Sequence, residues 1–236
     1  MNITIIGGAG TVASLIIPYL SVDHTVRVYD LKPPPDRTLA HTVGTVNDYP
    51  LMLQALQGAD SVIYKAMGTI NWSELQGIDT GFDANVKGLY LALRAAREAN
   101  VRHAIYTSSM SVYDGDLMSR YFYNEDIQPD GRNLYALTKY FGELVCRNAC
   151  VEFGMSVNAL RMCFPVSDAH WQELVAAGQF TLHTAASDLA RAMNAALRHR
   201  NAFQVYTISG EYEGKVLNMD KARRELGWEP NARPNS

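Results

Sequence analysis

From residue 2 the chain runs through NITIIGG, a β-branched apolar stretch, into TVASLIIPYL, where apolar positions recur at helical spacing. TVRVYD then reads as a second strand, completing a βαβ unit. Beyond the proline-rich loop Lys32 to Pro35 the alternation continues. It gives a strand near HTVGTV, a helix LMLQALQ, a strand SVIYKAM, a long helix from about Gly81 to Ala99, a strand HAIYTSS, a helix carrying Tyr135, and a strand SVNALR. Six strands alternating with helices predict an α/β fold. Right-handed crossovers put helices on both sides of the sheet, so it should be a doubly wound parallel sheet buried on both faces.

From Met162 the rhythm loosens into a short helix near Trp171 to Ala176, another over Leu189 to Arg198, a strand FQVYTIS and a final DKARRELGW. The expected organisation is a main domain over 1–161 and a small C-terminal cap over 162–236, interleaved with the main domain rather than independent. Ligands of such sheets bind at the carboxyl ends of the strands, where this cap would sit. The tail PNARPNS is expected to fray.

Composition narrows the partners. With 47% apolar and 19% charged residues and a net charge of -3, nothing draws the chain to nucleic acid or to an anionic membrane, so a small ligand is the expected partner. Cys146, Cys150 and Cys163 are odd in number and lack CxxC or Cys/His spacing, so they read as buried thiols rather than disulfides or metal ligands. No basic leader and no run of 18 apolar residues is present, and a cytoplasmic protein is expected.

Candidate chemistry begins at IIGGAGTVAS. Gly8, Gly10 and Ala13 fit G-x-G-x-x-G/A between the first strand and the first helix. Glycines there permit a tight turn and close approach of a pyrophosphate, which the helix N-terminus attracts. A merely structural turn would also want glycine. Asp30 ends the second strand twenty residues past Gly10, where a carboxylate can accept from a ribose 2′-hydroxyl and would repel a 2′-phosphate. That favours NAD over NADP, with Lys32 close by as a counterweight; alternatively, Asp30 only bonds its own loop.

In LYALTKYFGELVC, Tyr135 and Lys139 stand four apart and share a helix face, a spacing that packing alone could explain. Taken with GGAGTVA, Asp30, NVKGL, YTSSMSVY, Leu160–Arg161, SDLARAMNAAL and KARRELGWEP, the chain resembles the extended short-chain dehydrogenase/reductase family, the NAD-dependent epimerase/dehydratase group. The resemblance implies a Rossmann-like domain, NAD as cofactor and a sugar-like substrate. It makes Ser109, Tyr135 and Lys139 the catalytic set, with Asn85 helping to hold the lysine and a water. Cofactor contacts are implied at Gly7, Gly10, Thr11, Val12, Asp30, Thr45, Val46, Ala66 and Gly68, as well as at Tyr135 and Lys139. A homodimer is implied through the helices containing Asn85 and Tyr135, which also look too apolar for one buried face.

Elementary electrostatics explains the residue types. A free phenol titrates near 10 and is a poor base at pH 7, but an ammonium about 4 Å away at an effective dielectric near 20 stabilises the phenolate by roughly 4 kcal/mol, about three pKa units. Lys139 is therefore expected to bring Tyr135 toward neutrality so that it exchanges a proton with a substrate hydroxyl, which Ser109 would orient. Some residues depart from the family pattern. Ser109, Met110 and Ser111 stand where dehydratases carry an acidic pair, Thr45 replaces a common adenine-contacting acid, and Lys65 replaces an apolar residue. No Lys or Arg occurs between Arg161 and Arg191, which disfavours a nucleotide diphosphate sugar. The short cap and PDGRNLYALTKYFGE look most like the compact uronate dehydrogenase type. The expectation is an NAD-dependent dehydrogenase acting on a small sugar or sugar acid; an epimerase using the same residues and a non-catalytic NAD sensor are the alternatives.

Overall fold

A computed structural model describes residues 1–69, 71, 74–178 and 180–233. Strands β1 (Asn2–Ile6), β2 (Thr25–Asp30) and β3 (Ala40–Val43) enclose helix α1 (Thr11–Asp23), and α2 (Tyr49–Leu56) leads to β4 (Ser61–Tyr64). Next come α3 (Leu75–Phe82), a π-helical segment (Asp83–Gly88), α4 (Leu89–Glu98), β5 (His103–Ser109), α5 (Leu134–Phe153) and β6 (Ser156–Met162). The rest comprises β7 (Pro165–Val166), α6 (Asp168–Ala176), β8 (Thr184–Ala185), α7 (Ala186–Arg198) and β9 (Phe203–Ile208).

The main sheet has seven strands in the order β3-β2-β1-β4-β5-β6-β9, every pair parallel. FQVYTIS, expected among the cap segments, is its seventh strand, with Val157 to Met162 registered against Phe203 to Ile208. Alternation along the strands builds two cores. Ile3, Ile5, Ile63 and Ile105 face α1 and α7, whereas Ile6, Val62, Tyr64 and Tyr106 face α2, α4 and α5. Each face buries its own apolar layer, as a doubly wound sheet requires. The order reverses between β1 and β4, and the crevice above that switch point is where such sheets bind ligands.

Local chemistry fixes the elements that matter most. The Asn133 side chain accepts from the Ala136 amide at 2.8 Å and starts α5, and Gly154 ends it in the left-handed region at φ 62°. The long helix expected from Gly81 begins earlier, at Leu75, and widens to a π segment around Asn85. Such segments often mark functional positions. The tail expected to fray is pinned over residues 231–232: the buried Asp188 carboxylate accepts both the Asn231 and Ala232 amides at 2.9 Å. Residues 234–236 of that expectation lie outside the described residues. Among the described residues no helix is long and apolar enough to cross a membrane.

A buried ion pair clamps α5 onto the sheet. Arg161 on β6 donates Nε to Glu143 Oε1 at 2.9 Å and a terminal nitrogen to Oε2 at 2.7 Å, and the Ser108 hydroxyl donates to Oε1 at 2.6 Å. Tyr113 and the Glu125 carbonyl accept the other Arg161 terminal nitrogen. Removing one member leaves the other as an unpaired buried charge. Glu143→Ala is expected to lower unfolding free energy by roughly 3–5 kcal/mol in a denaturant titration, and a loss below about 1 kcal/mol would show that the clamp is not structural.

Candidate active site

At the end of β1 the chain turns sharply, and Gly7 adopts φ +84°. A Cβ there would lie 2.3 Å from the Ala66 backbone nitrogen, so the close approach of β1 and β4 excludes any side chain. Gly10 is different: the nearest atom a Cβ would meet is 3.7 Å away, so packing within the protein does not demand glycine at that position. It opens onto a groove of about 450 Å³. No side chain caps α1, whose N-terminal amides point along this turn, and Ala13 packs fully buried beneath them. An open glycine, an uncapped helix start and a carboxylate beside the turn fit a dinucleotide.

Of the residues expected around a cofactor, Gly7, Gly10, Thr11, Val12, Asp30, Val46, Ala66 and Gly68 line this groove. Thr45 does not line it; the residue is exposed, and its carbonyl accepts the Tyr29 hydroxyl at 2.8 Å. Asp30 has a second task. Its carboxylate accepts the Ala9 amide at 2.9 Å and the Lys32 amide at 3.3 Å, which ties the glycine turn to the end of β2.

Val12, Lys65 and Met67 are shared with a second cavity of about 230 Å³, so groove and cavity adjoin. Ser109, Tyr135 and Lys139 all line it. Helical spacing brings Tyr135 and Lys139 to one face of α5, and β5 delivers Ser109 at its last position. Lys139 is almost wholly buried and donates Nζ to the Thr107 carbonyl at 2.7 Å, with Nζ 5.8 Å from the centre of the Tyr135 ring. Asn85 does not line the cavity but supports it. Its amide nitrogen donates to Thr138 Oγ1 at 2.9 Å, and its buried Oδ1 has no hydrogen-bond partner among the described residues.

Charge in this pocket departs from the simple Coulomb expectation. Burial pushes the Tyr135 phenol above its ordinary value, and a hydrogen bond with Ser109 only partly opposes this. Lys139 does not draw it to neutrality, because the amine is itself desolvated: burial first, then repulsion from Lys65, brings Lys139 down to about 7. Lys65 is likewise lowered by burial to about 8, partly opposed by Asp30. Pairwise attraction is outweighed here by the cost of withdrawing both groups from water.

Several contributing groups were not anticipated. The Thr107 carbonyl that anchors Lys139 carries no sequence signal, since any residue supplies a carbonyl. Glu143, one turn beyond Lys139, holds Ser108 and Arg161, and its i+4 spacing from the lysine was a readable sign. Met162, Cys163, Phe164 and Pro165 also wall the cavity, through a turn that no periodicity marks. Phe164 holds a left-handed φ of 38° there.

Comparisons with known proteins bear on the family and the fold. The sequence aligns over 146 residues at 26% identity with an N-acetyl-α-D-glucosaminyl-diphospho-ditrans,octacis-undecaprenol 4-epimerase of Escherichia coli O157:H7, covering 62% of this chain and 43% of that protein. The chain matches less than half the length of such curated relatives. In fold it is similar to MoeE5 solved with UDP-glucose and NAD (TM-score 0.80, 18% identity, 99% of this chain and 94% of that one). It is also similar to a mutated uronate dehydrogenase (TM-score 0.80, 20% identity, 98% and 82%). The sequence model of the NAD dependent epimerase/dehydratase family matches residues 3–176, and with the glycine turn, the switch-point groove and the Ser109, Tyr135 and Lys139 cavity in place, the chain belongs to that family.

Proposed function

We propose that this chain is an NAD-dependent oxidoreductase that interconverts a hydroxyl and a carbonyl on a small sugar-like molecule. The observation that carries the reading is that the glycine-turn groove shares a wall with a cavity lined by Ser109, Tyr135 and Lys139. When bound, NAD supplies the hydride acceptor or donor. The protein supplies the proton chemistry and the positioning. Ser109 orients the substrate oxygen, and Tyr135 exchanges the proton with it. Held neutral by burial in the empty site, the phenol becomes a base once a protonated Lys139 and a cationic ring stand beside it. The Thr107 carbonyl fixes Lys139 in reach, and Asn85 steadies the α5 backbone through Thr138.

Size and charge favour the dehydrogenase reading on a free sugar or sugar acid. At about 230 Å³ the cavity lies below the roughly 300–1,000 Å³ usual for small-molecule sites, and among the described residues only Lys65 and Lys139 bring cationic groups to it. A nucleotide diphosphate would need more of both. Its outer wall, Met162 to Pro165, belongs to the segment proposed as the substrate cap. Leu137 at 38%, Leu144 at 40% and Val151 at 84% exposure form an apolar stripe on α5, which supports a homodimer through α5 and the helix bearing Asn85.

Incubation of the protein with NAD and a panel of free sugars, sugar acids and nucleotide sugars should give stoichiometric reduced nicotinamide with a free sugar or sugar acid. Tyr135→Phe should lower kcat by about 10²–10⁴-fold while leaving NAD affinity within a few-fold. Isomerised product without net reduction would indicate an epimerase. NAD binding with no turnover, unchanged by Tyr135→Phe, would indicate a sensor. Lys139→Met should abolish turnover yet stabilise the fold. The folded amine titrates near 7 against 10.5 for the free group, so burying it costs most below pH 7 and nothing above about 10.5. The gain in Tm, about 2–4 °C per kcal/mol relieved, should therefore be largest at pH 6 and vanish by about pH 10.5; a constant gain would refute the cause. Leu144→Glu with Val151→Glu should halve the mass measured by light scattering, and an unchanged mass would place the subunit contact elsewhere.

A further inference from the structure

Lys65 follows β4 directly, and its backbone nitrogen donates to the Ile6 carbonyl at 2.7 Å, which fixes it beside the glycine turn at the point where strand order reverses. Its half-buried side chain lines both the groove and the cavity. No hydrogen bond or ion pair holds its amine among the described residues. The carboxylate that acts on it, Asp30, already accepts two backbone amides. No Asp or Glu lines the cavity among the described residues, and Glu143 behind Ser108 is committed to Arg161. Two amines, Lys65 and Lys139, therefore share an acid-free pocket. Val12, Lys65 and Met67 line both the groove at the glycine turn and the cavity that holds Tyr135.

The reading above requires a nicotinamide ring at this junction, and the inference rests on that reading. We propose that Lys65 destabilises the cationic, oxidised ring relative to the neutral, reduced one, so that the bound cofactor is a stronger hydride acceptor and the site favours oxidation of its substrate. The two cofactor forms share the same adenine, riboses and pyrophosphate. Attraction between Lys65 and the phosphates therefore cancels in the ratio of their affinities, and the ring charge alone remains. Unit charges about 7 Å apart at an effective dielectric near 20 would shift a binding constant roughly fifty-fold, and solvent in the open groove reduces this to about tenfold. Burial leaves the Lys65 amine titrating near 8, so it is mostly charged at pH 7.

In the favoured direction the alcohol carbon loses a hydride, with both bonding electrons, to the ring. The hydroxyl proton passes to the Tyr135 oxygen, and a carbonyl remains. A tenfold preference for the reduced form raises the midpoint potential of the bound two-electron couple by about 30 mV.

The test measures dissociation constants for oxidised and reduced nicotinamide adenine dinucleotide separately, by fluorescence titration at pH 7, on the full chain and on its Lys65→Met and Lys65→Arg variants. The parent should bind the reduced form more tightly. Lys65→Met should lower the ratio of the oxidised to the reduced constant about tenfold, and Lys65→Arg should preserve it. An unchanged ratio in Lys65→Met overturns the proposal, whether both affinities fall together, as a pure phosphate contact would give, or neither moves. Methionine resembles the apolar residue usual at this position, and the arginine variant retains the charge, so a general folding defect would appear in both variants and in their circular dichroism. If the parent binds neither form, the cofactor reading itself fails and this inference falls with it.

Discussion

The hydrogen bond from Lys139 Nζ to the Thr107 carbonyl, 2.7 Å long and almost wholly buried, is the interaction on which the rest of the site depends. It joins α5 to the carboxyl end of β5 at one point, so the amine, the Tyr135 phenol one helical turn earlier and the Ser109 hydroxyl two residues beyond Thr107 hold a common frame. Burying an amine is unfavourable unless something nearby compensates, and a single carbonyl does so only in part. The site therefore stores an electrostatic deficit that an arriving ligand can relieve. The clamp of Glu143, Arg161 and Ser108 beneath it keeps the two elements from drifting apart while it remains.

Much of the fold was legible because it follows from period and composition. Alternating strand and helix patterns require a parallel sheet covered on both faces, and Ile3, Ile5, Ile63 and Ile105 divide from Ile6, Val62 and Tyr64 as strand alternation demands. FQVYTIS was visible as a strand but not as the edge of the main sheet, since pairing is a long-range choice that a single segment does not encode. The same limit applies to the tail. Asn231 and Ala232 look like fraying residues until a buried carboxylate more than 40 positions away takes their amides.

The site was legible in its side chains and illegible in its energetics. Spacing put Tyr135 and Lys139 on one face, and strand position put Ser109 at the carboxyl end of β5, so the three meet in one cavity. Their titration could not be read the same way, because it depends on how much water each group loses. Burial holds the phenol up and the amine down, opposite to what pairwise attraction alone predicts. Lys65 stood out in the sequence only as an oddity; the fold gives it a place, at the junction of groove and cavity.

The tyrosine acts as a base only if cofactor binding reverses the effect of burial, and the titration of Tyr135 itself tests that claim most directly. With ring-carbon-labelled tyrosine and Tyr135→Phe to assign the signal, nuclear magnetic resonance can follow its ionisation in the empty and the NAD-loaded protein. The expected result is a midpoint above the free value of 10.0 in the empty protein, falling clearly once oxidised NAD is bound. A midpoint already below 10.0 when empty, or one that NAD leaves in place, would contradict it.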